Sequence, residues 1–389
     1  MTQRRNRRAG VEDLWHKRDG TPSKLYGQGM RWRARYVDEN SRETTRRFRR
    51  KVDAQQWLDE QTTAIVSGVY VDPKRSATTF GAVAEQWFTT KSTTAPKTQA
   101  GYRSLLDTQV LPRWGRERLS DIHHEDVQTW VTGLSASGGY RWEEKGLSAS
   151  RVIQCYQVLD QVLRYAIRTK KLAINPADET VLPRKAEAEK RYLSHEQVDH
   201  VAYESGRFRA LVFTLAYSGI RFGEAVALRA KNVDLEKRRL RIVASATPVP
   251  KQGIVEGLPK GRDSRSVPLP AFVVDELREI VENKAPDELV FPSRRGSYLT
   301  ESEMRWIFDA AAEEAGIERL TPHALRHTAA SLAIQAGANV KVVQRMLGHK
   351  SATLTLDRYG HLFPDDLDTV ADALDAAYRL RTEQVYDAG

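Results

Sequence analysis

Residues 31–36 read Arg-Trp-Arg-Ala-Arg-Tyr, an alternation that sends Arg31, Arg33 and Arg35 to one face and Trp32, Ala34 and Tyr36 to the other. The pattern predicts a strand with a cationic face. Residues 38–41 supply turn chemistry, residues 44–48 a second strand that adds Arg46 and Arg47, and the stretch around Leu14 and Trp15 a third. A helix capped by Asp53 follows, with Trp57, Leu58 and Ile65 inward and Gly68 as its stop. Residues 1–72 thus form a small three-stranded sheet backed by one helix, and residues 71–77, with Pro73, form a linker.

From Thr78 the period changes to that of helices. Thr79 opens one that buries Val83, Trp87 and Phe88, and Thr98 opens another with Tyr102, Leu105 and Leu106 inside. Ser120 opens a third around Val127, Trp130 and Val131, and Ser148 a fourth around Val152, Tyr156, Leu159, Leu163 and Ala166. Asn175-Pro176 ends this all-helical unit, residues 78–178, and the charged stretch 181–191, holding Pro183, reads as an interdomain linker.

The last unit, residues 190–389, begins with the capping box Ser194 to Gln197 and a helical run through Leu211, Leu215 and Ala216 that breaks at Ser218-Gly219. Residues 240–243 and 265–269 alternate like strands, with Lys260 in the loop before the second, and helices resume from Phe272. The fold class is therefore mainly α with small β-sheets, an α+β chain. A tail with Val370, Leu374, Ala377 and Leu380 at helical spacing could dock on a neighbouring copy or on its own domain.

Charge sharpens this division. The chain of 389 residues has a formal charge of +10, and residues 1–51 account for all of it, with 16 Lys or Arg against 6 Asp or Glu. The remaining 338 residues carry 45 of each sign. Such a block points to a polyanion, because phosphates neutralised by arginine release condensed counterions. Arg31, Arg33, Arg35, Arg46 and Arg47 are the candidate DNA contacts of this first unit. No apolar run follows Arg4 to Arg8, which argues against export, and the longest apolar stretch, residues 210–217, is far below the ~20 residues of a membrane span. A single cysteine, Cys155, permits no internal disulfide and suits a reducing cytoplasm.

Six residues remain whose contexts predict chemistry. Arg221 stands between a helix break and a new helix, in Tyr-Ser-Gly-Ile-Arg-Phe-Gly-Glu. Thr321-Pro322 starts a helix whose apolar stripe is Leu325, Ala329, Leu332 and Ala333, leaving His323 and Arg326 on another edge at an anion-favouring N-terminus. Asn339 caps the next helix and Gly348 stops it just before His349; Tyr359 follows ten residues later. His323 and His327 have the spacing of a zinc pair but lack a third ligand, so neither a metal nor any other cofactor is expected. Residues 330–349 also read as helix-turn-helix, the signature of a repressor without catalysis. Its second helix spends most positions on apolar side chains, and a repressor has no use for Lys260 or Tyr359.

With Ser218-Gly219-Ile220-Arg221 and Glu224, Lys260 in Pro-Lys-Gly, His323-Ala-Leu-Arg326-His327, Leu347-Gly348-His349 and Tyr359, the chain resembles a tyrosine recombinase of the phage-integrase type over residues 78–389. The first 70 residues resemble the sheet-based arm-binding domains of some integrases, among them those of actinobacterial phages. The resemblance implies three domains: an arm-type DNA-binding domain, a four-helix SAM-like core-binding domain and a mixed α/β catalytic domain. It implies that Tyr359 attacks a DNA phosphate to form a 3′-phosphotyrosyl bond, without cofactor, while Arg221 and Arg326 answer the charge on the nonbridging oxygens. Lys260 is then the donor to the leaving 5′ oxygen, His323 the acceptor of the tyrosine proton, and His349 a hydrogen-bond partner of the phosphate. The implied partners are double-stranded DNA with core-type and arm-type sites, three further copies in a tetramer, an excisionase and a host DNA-bending protein. A type IB topoisomerase shares this residue chemistry; the basic first unit and the chain length favour the integrase.

Overall fold

In the computed structural model, the arginine alternation becomes the central strand of a small antiparallel sheet. Residues 9–38, 42–67, 70–71, 73–137, 145–185, 191–259, 264–318, 320–363, 371–372 and 374–379 are described. Lys260, Gly68, Val370 and Leu380 lie outside them. The chain divides into two compact units, Met1–Ala186 and Glu187–Gly389.

In the first unit, strands Gly10–Asp13, Trp32–Val37 and Glu43–Phe48 pair in that order. The third strand ends at Asp13, ahead of the expected Leu14 and Trp15; there the Asp13 carboxylate accepts the Trp15 N–H and turns the chain. Ala34 and Tyr36 are buried with Ala54 and Leu58 of the helix Lys51–Val66, and Trp57 and Ile65 pack at the margin. That helix starts two residues before Asp53. Its N-cap is Arg50, whose guanidinium reaches back to the Asp53 carboxylate in the first turn. The expected linker carries a helical turn, Pro73–Ser76.

Helices Phe80–Thr89 and Ala149–Arg168 are capped by Thr79 and Ser148 as their sequences predict, each hydroxyl accepting an N–H of the first turn. Two other starts move. Pro96, with its φ already helical, begins Pro96–Leu105 in place of Thr98. Ser120 falls in a 3₁₀ turn, Leu119–Asp121, and the next helix is His124–Ser137. Trp87, Trp114, Trp130 and the Val152 to Ala166 stripe close one apolar core around these helices. Asn175 ends the unit as a buried hub, donating to Asp160 and Asp178 and accepting from the Ala177 N–H.

In the second unit, the Ser194–Gln197 capping box opens His195–Glu204, and the almost wholly buried helix Arg209–Ser218 is the axis of the core. Strands Val233–Asp234, Arg239–Ile242 and Arg265–Pro268 form one antiparallel sheet. A second hairpin, Ser245–Val249 with Gly253–Gly257, was not predicted; proline and glycine break its alternation. Helices Ala271–Val281 and Glu301–Glu314 cover the core, and Pro322–Gln335, Val340–Leu347 and Ala352–Tyr359 complete the described fold. None of the described helices is long and apolar enough to cross a membrane.

Candidate active site

The site grows from two left-handed glycines. Gly219, with φ of +65°, ends the helix Arg209–Ser218, and a Cβ there would lie 2.7 Å from a Leu347 methyl. Only glycine fits both the backbone and the space. The turn throws Arg221 out at the N-cap of the short helix Phe222–Val226, where its backbone N–H and its guanidinium both donate to Glu224, each at 2.9 Å. Gly348, with φ of +64°, ends Val340–Leu347 in the same manner and lies against the Arg265 guanidinium.

Glu224 is fully buried and is shared. Arg265, from the strand Arg265–Pro268, grips it with two hydrogen bonds of 3.0 and 2.6 Å, and its Nε points at the Met346 carbonyl. Burial opposes ionisation of Glu224, but the Arg265 fork and Arg221 overcome it and hold the carboxyl below its ordinary value. Arg265 is absent from the sequence-based candidates; its signal is a charged residue on the inner phase of a short strand, the phase of buried Val267.

Arg326 is also buried, with 2% of its surface exposed. Its two terminal nitrogens donate to the Gly219 carbonyl and, at 2.7 Å, to the Leu347 carbonyl. Arg221 reaches the Gly348 carbonyl at 3.4 Å, so both arginines converge on the turn that precedes His349. Desolvation first, then the Arg221 charge, pushes Arg326 down to about 9, which leaves it protonated at neutral pH.

Tyr359 ends the helix Ala352–Tyr359 with 1% of its surface exposed. Its hydroxyl lies 2.8 Å from Nδ1 of His327. The expected partner, His323, is exposed in the first turn of the same helix and places its ring edge-on to His327, with centroids 4.7 Å apart. The neighbour of the phenol is thus His327, and the cause is simple: Tyr359 approaches one turn further along the helix than the N-terminus that carries His323. The phenol itself is shifted by opposing effects: burial raises it above its ordinary value and outweighs the nearby Arg326 and Arg358 charges, which act to lower it. His349 stacks parallel to the Tyr359 ring at 6.4 Å, and its Nδ1 meets the buried Thr355 hydroxyl at 2.9 Å. Burial, then Arg326 and Arg358, pushes His349 down to about 4, so its imidazole is neutral at pH 7.

Comparison with known proteins agrees with the motifs. The profile described as "Phage integrase family" matches residues 191–365, and "Phage integrase central domain" matches residues 80–181. The integrase of Mycobacterium phage D29 is 26% identical over 327 residues, which span 80% of this chain and 84% of that one. The chain belongs to the phage integrase family. It is a site-specific recombinase, an enzyme that cleaves and rejoins DNA strands. Among solved structures, the Tn1549 transposon integrase in complex with transposon right end DNA shares the fold, with a TM-score of 0.65 and 19% identity over 77% of this chain and 100% of that one. A lambda integrase tetramer bound to a Holliday junction also shares it, with a TM-score of 0.53 and 17% identity over 82% and 94%. The repressor and topoisomerase alternatives fall with family membership.

Two of the recombinase's shifted groups, His349 and Glu224, give its second unit a common response to acid. His349 titrates near 4 folded and near 6.5 unfolded, so the unfolded chain binds a proton that the native one refuses, and stability falls as pH drops from 6.5 toward 4. That window is worth at most about 3 kcal/mol. Glu224 acts with the same sign, losing its contribution as pH falls through its depressed native value. Urea midpoints at pH 7 and 4.5 should differ by more in the wild type than in His349→Gln. Equal differences would remove His349 from this account.

The candidate arginines of the recombinase's first unit divide between two faces. Cross-strand partners share a face, and the register pairs Arg33 with Arg47 and Arg35 with Thr45, but Arg46 with Ala34 on the helix side. Arg46 is thus not part of the outer set; it lies over Phe48. Arg31 precedes the strand, forks onto Asp13 and covers Trp32, and Arg33 pairs with Glu12. Among the described residues Arg35 and Arg47 form no ion pair.

Proposed function

We propose that this recombinase integrates and excises a phage or other mobile element, acting as a tetramer on double-stranded DNA, and that Tyr359 forms the 3′-phosphotyrosyl intermediate. The observation that carries this reading is the convergence of Arg221 and Arg326 on the turn 347–348, next to His349 and the Tyr359 phenol. Two guanidiniums held by buried partners present fixed donors to a phosphate, the preorganisation that stabilises developing charge. Lys260 would protonate the leaving 5′ oxygen, and His323 at the helix N-terminus would contact the phosphate. A Thr355 hydroxyl that donates to Nδ1 of His349 leaves the proton on Nε2, suiting the neutral imidazole to donate to a phosphate oxygen. Recovery of the covalent complex under denaturing conditions from cells carrying the element, followed by sequencing of the attached DNA ends, tests the reading. Ends confined to one core sequence in the element and one in the chromosome are expected; scattered ends would refute site-specific integration.

By the same reading, residues 1–72 form an arm-binding domain, residues 78–178 a core-binding domain and residues 190–389 the catalytic domain. The integrase works in the cytoplasm of its host, with an excisionase and a DNA-bending protein setting direction. Arg35 and Arg47 support the first assignment, as cations on one outward face of the sheet. The double variant Arg35→Ala/Arg47→Ala should weaken arm-site binding and lower its salt slope by about 2, with core cleavage intact. Arg46→Ala, on the other face, should change neither. A greater loss from Arg46→Ala would reverse the face assigned to DNA.

A further inference from the structure

We propose that His327, rather than His323, takes the phenolic proton of Tyr359 during cleavage and returns it on rejoining. The inference rests on Tyr359 being the nucleophile. His327 follows Arg326 on the helix Pro322–Gln335, so the two side chains leave it in different directions: Arg326 toward the Gly219 and Leu347 carbonyls, His327 toward the helix Ala352–Tyr359. Its Nδ1 is within hydrogen-bonding distance of the attacking oxygen, and the enclosure of Tyr359 keeps bulk water from that role. The other imidazoles are worse placed. His349 offers the phenol its ring face and engages Nδ1 with Thr355. His323 meets the His327 ring, not the phenol.

The step balances without a further reagent. As the Tyr359 oxygen bonds to phosphorus and the P–O5′ bond breaks, the phenolic proton passes to Nδ1, forming an imidazolium, and the leaving oxygen takes a proton from Lys260. In the return step the imidazolium gives its proton back to the departing phenolate. Relief of the burial cost of a bare phenolate favours concerted transfer over prior ionisation. The charged and titratable groups around this pair are His323 on the same helix, Tyr359 and Arg358 on the facing one, His349 before it, and Arg326 and Tyr192, which act on the phenol.

The test is single-turnover adduct formation by the full chain on nicked core-site DNA with sulfur in place of the bridging 5′ oxygen. A thiolate leaves without a proton, which isolates removal of the phenolic one. His327→Asn can still hydrogen-bond the phenol but cannot accept its proton. Its rate should fall about 10²- to 10⁴-fold at pH 7 and climb tenfold per pH unit toward 9, while the wild-type rate levels off. His327→Ala should behave alike and regain at least about tenfold with added imidazole, on the same scale of general-base catalysis. A His327→Asn rate within threefold of wild type, or one lowered by a constant factor under a wild-type pH profile, would overturn the proposal. Adduct formed by Tyr359→Phe would instead overturn the assignment of the nucleophile, so the two failures are distinguishable.

Discussion

Tyr359→Phe should form no covalent DNA adduct that survives denaturation, with core-site binding unchanged within about twofold. The hydroxyl is the only atom removed, and the ring keeps its stacking on His349 and its place in the small core of Ala330, Ile334, Val343 and Leu347. One hydrogen bond to His327 is lost, a cost near ~1 kcal/mol that cannot unfold the unit. Adduct yield and equilibrium binding, measured on the same nicked duplex, therefore separate chemistry from recognition. Adduct persisting in the mutant would mean that another side chain attacks. Strand exchange should disappear with the adduct, since the phosphotyrosyl bond conserves the energy needed to rejoin the strand.

Glu224→Gln should have the largest effect on stability of any single isosteric change in the site. It leaves Arg221 and Arg265 facing a neutral amide in a place from which water is excluded. Breaking a buried ion pair on one side costs about 3 to 5 kcal/mol, and the partial exposure of Arg221 and Arg265 places this case toward the lower figure. For a unit of this size, that loss corresponds to a fall of roughly 10 °C or more in melting temperature. Adduct formation should slow as well, at a temperature where the variant is still folded, since the amide keeps a single acceptor oxygen and can hold only one of the guanidinium and backbone contacts that Arg221 makes to the two carboxylate oxygens. Replacing Arg265 with Met in the same chain should recover part of the stability by removing one stranded charge. A Glu224→Gln melting point within 2 °C of wild type, against an expected shift of roughly 10 °C, would show that water or another group replaces the carboxylate.

Much of this site was legible because its residues sit beside punctuation. Gly219 and Gly348, the Thr321-Pro322 start and the Asn339 cap each mark where a helix begins or ends, and Arg221, His323, Arg326 and His349 follow from those marks. The residues that hold them in place were harder to read. Arg265 reaches from its strand to a carboxylate on a distant helix and Thr355 across a turn, and no local pattern says what either one holds. His327 stood in the motif, yet only the approach of the facing helix decides which of two imidazoles meets the phenol. Helix starts failed where a polar residue near the right place competed with a stronger signal, as Thr98 did with Pro96. The hairpin at residues 245–257 escaped because Pro248 and the glycines interrupt the period on which strand prediction relies.

Among the described residues of this cluster, Arg221, Arg265 and Arg326 surround a single carboxylate, Glu224, and Arg326 is met only by backbone oxygens. These four side chains together therefore carry two positive charges more than they balance among themselves. A phosphodiester brings one negative charge and leaves the account short; the five-coordinate phosphorus formed by phenolate attack brings two. The excess positive charge of this cluster is thus met more fully as the reaction passes through its summit than by the resting DNA, and that difference is itself a source of rate.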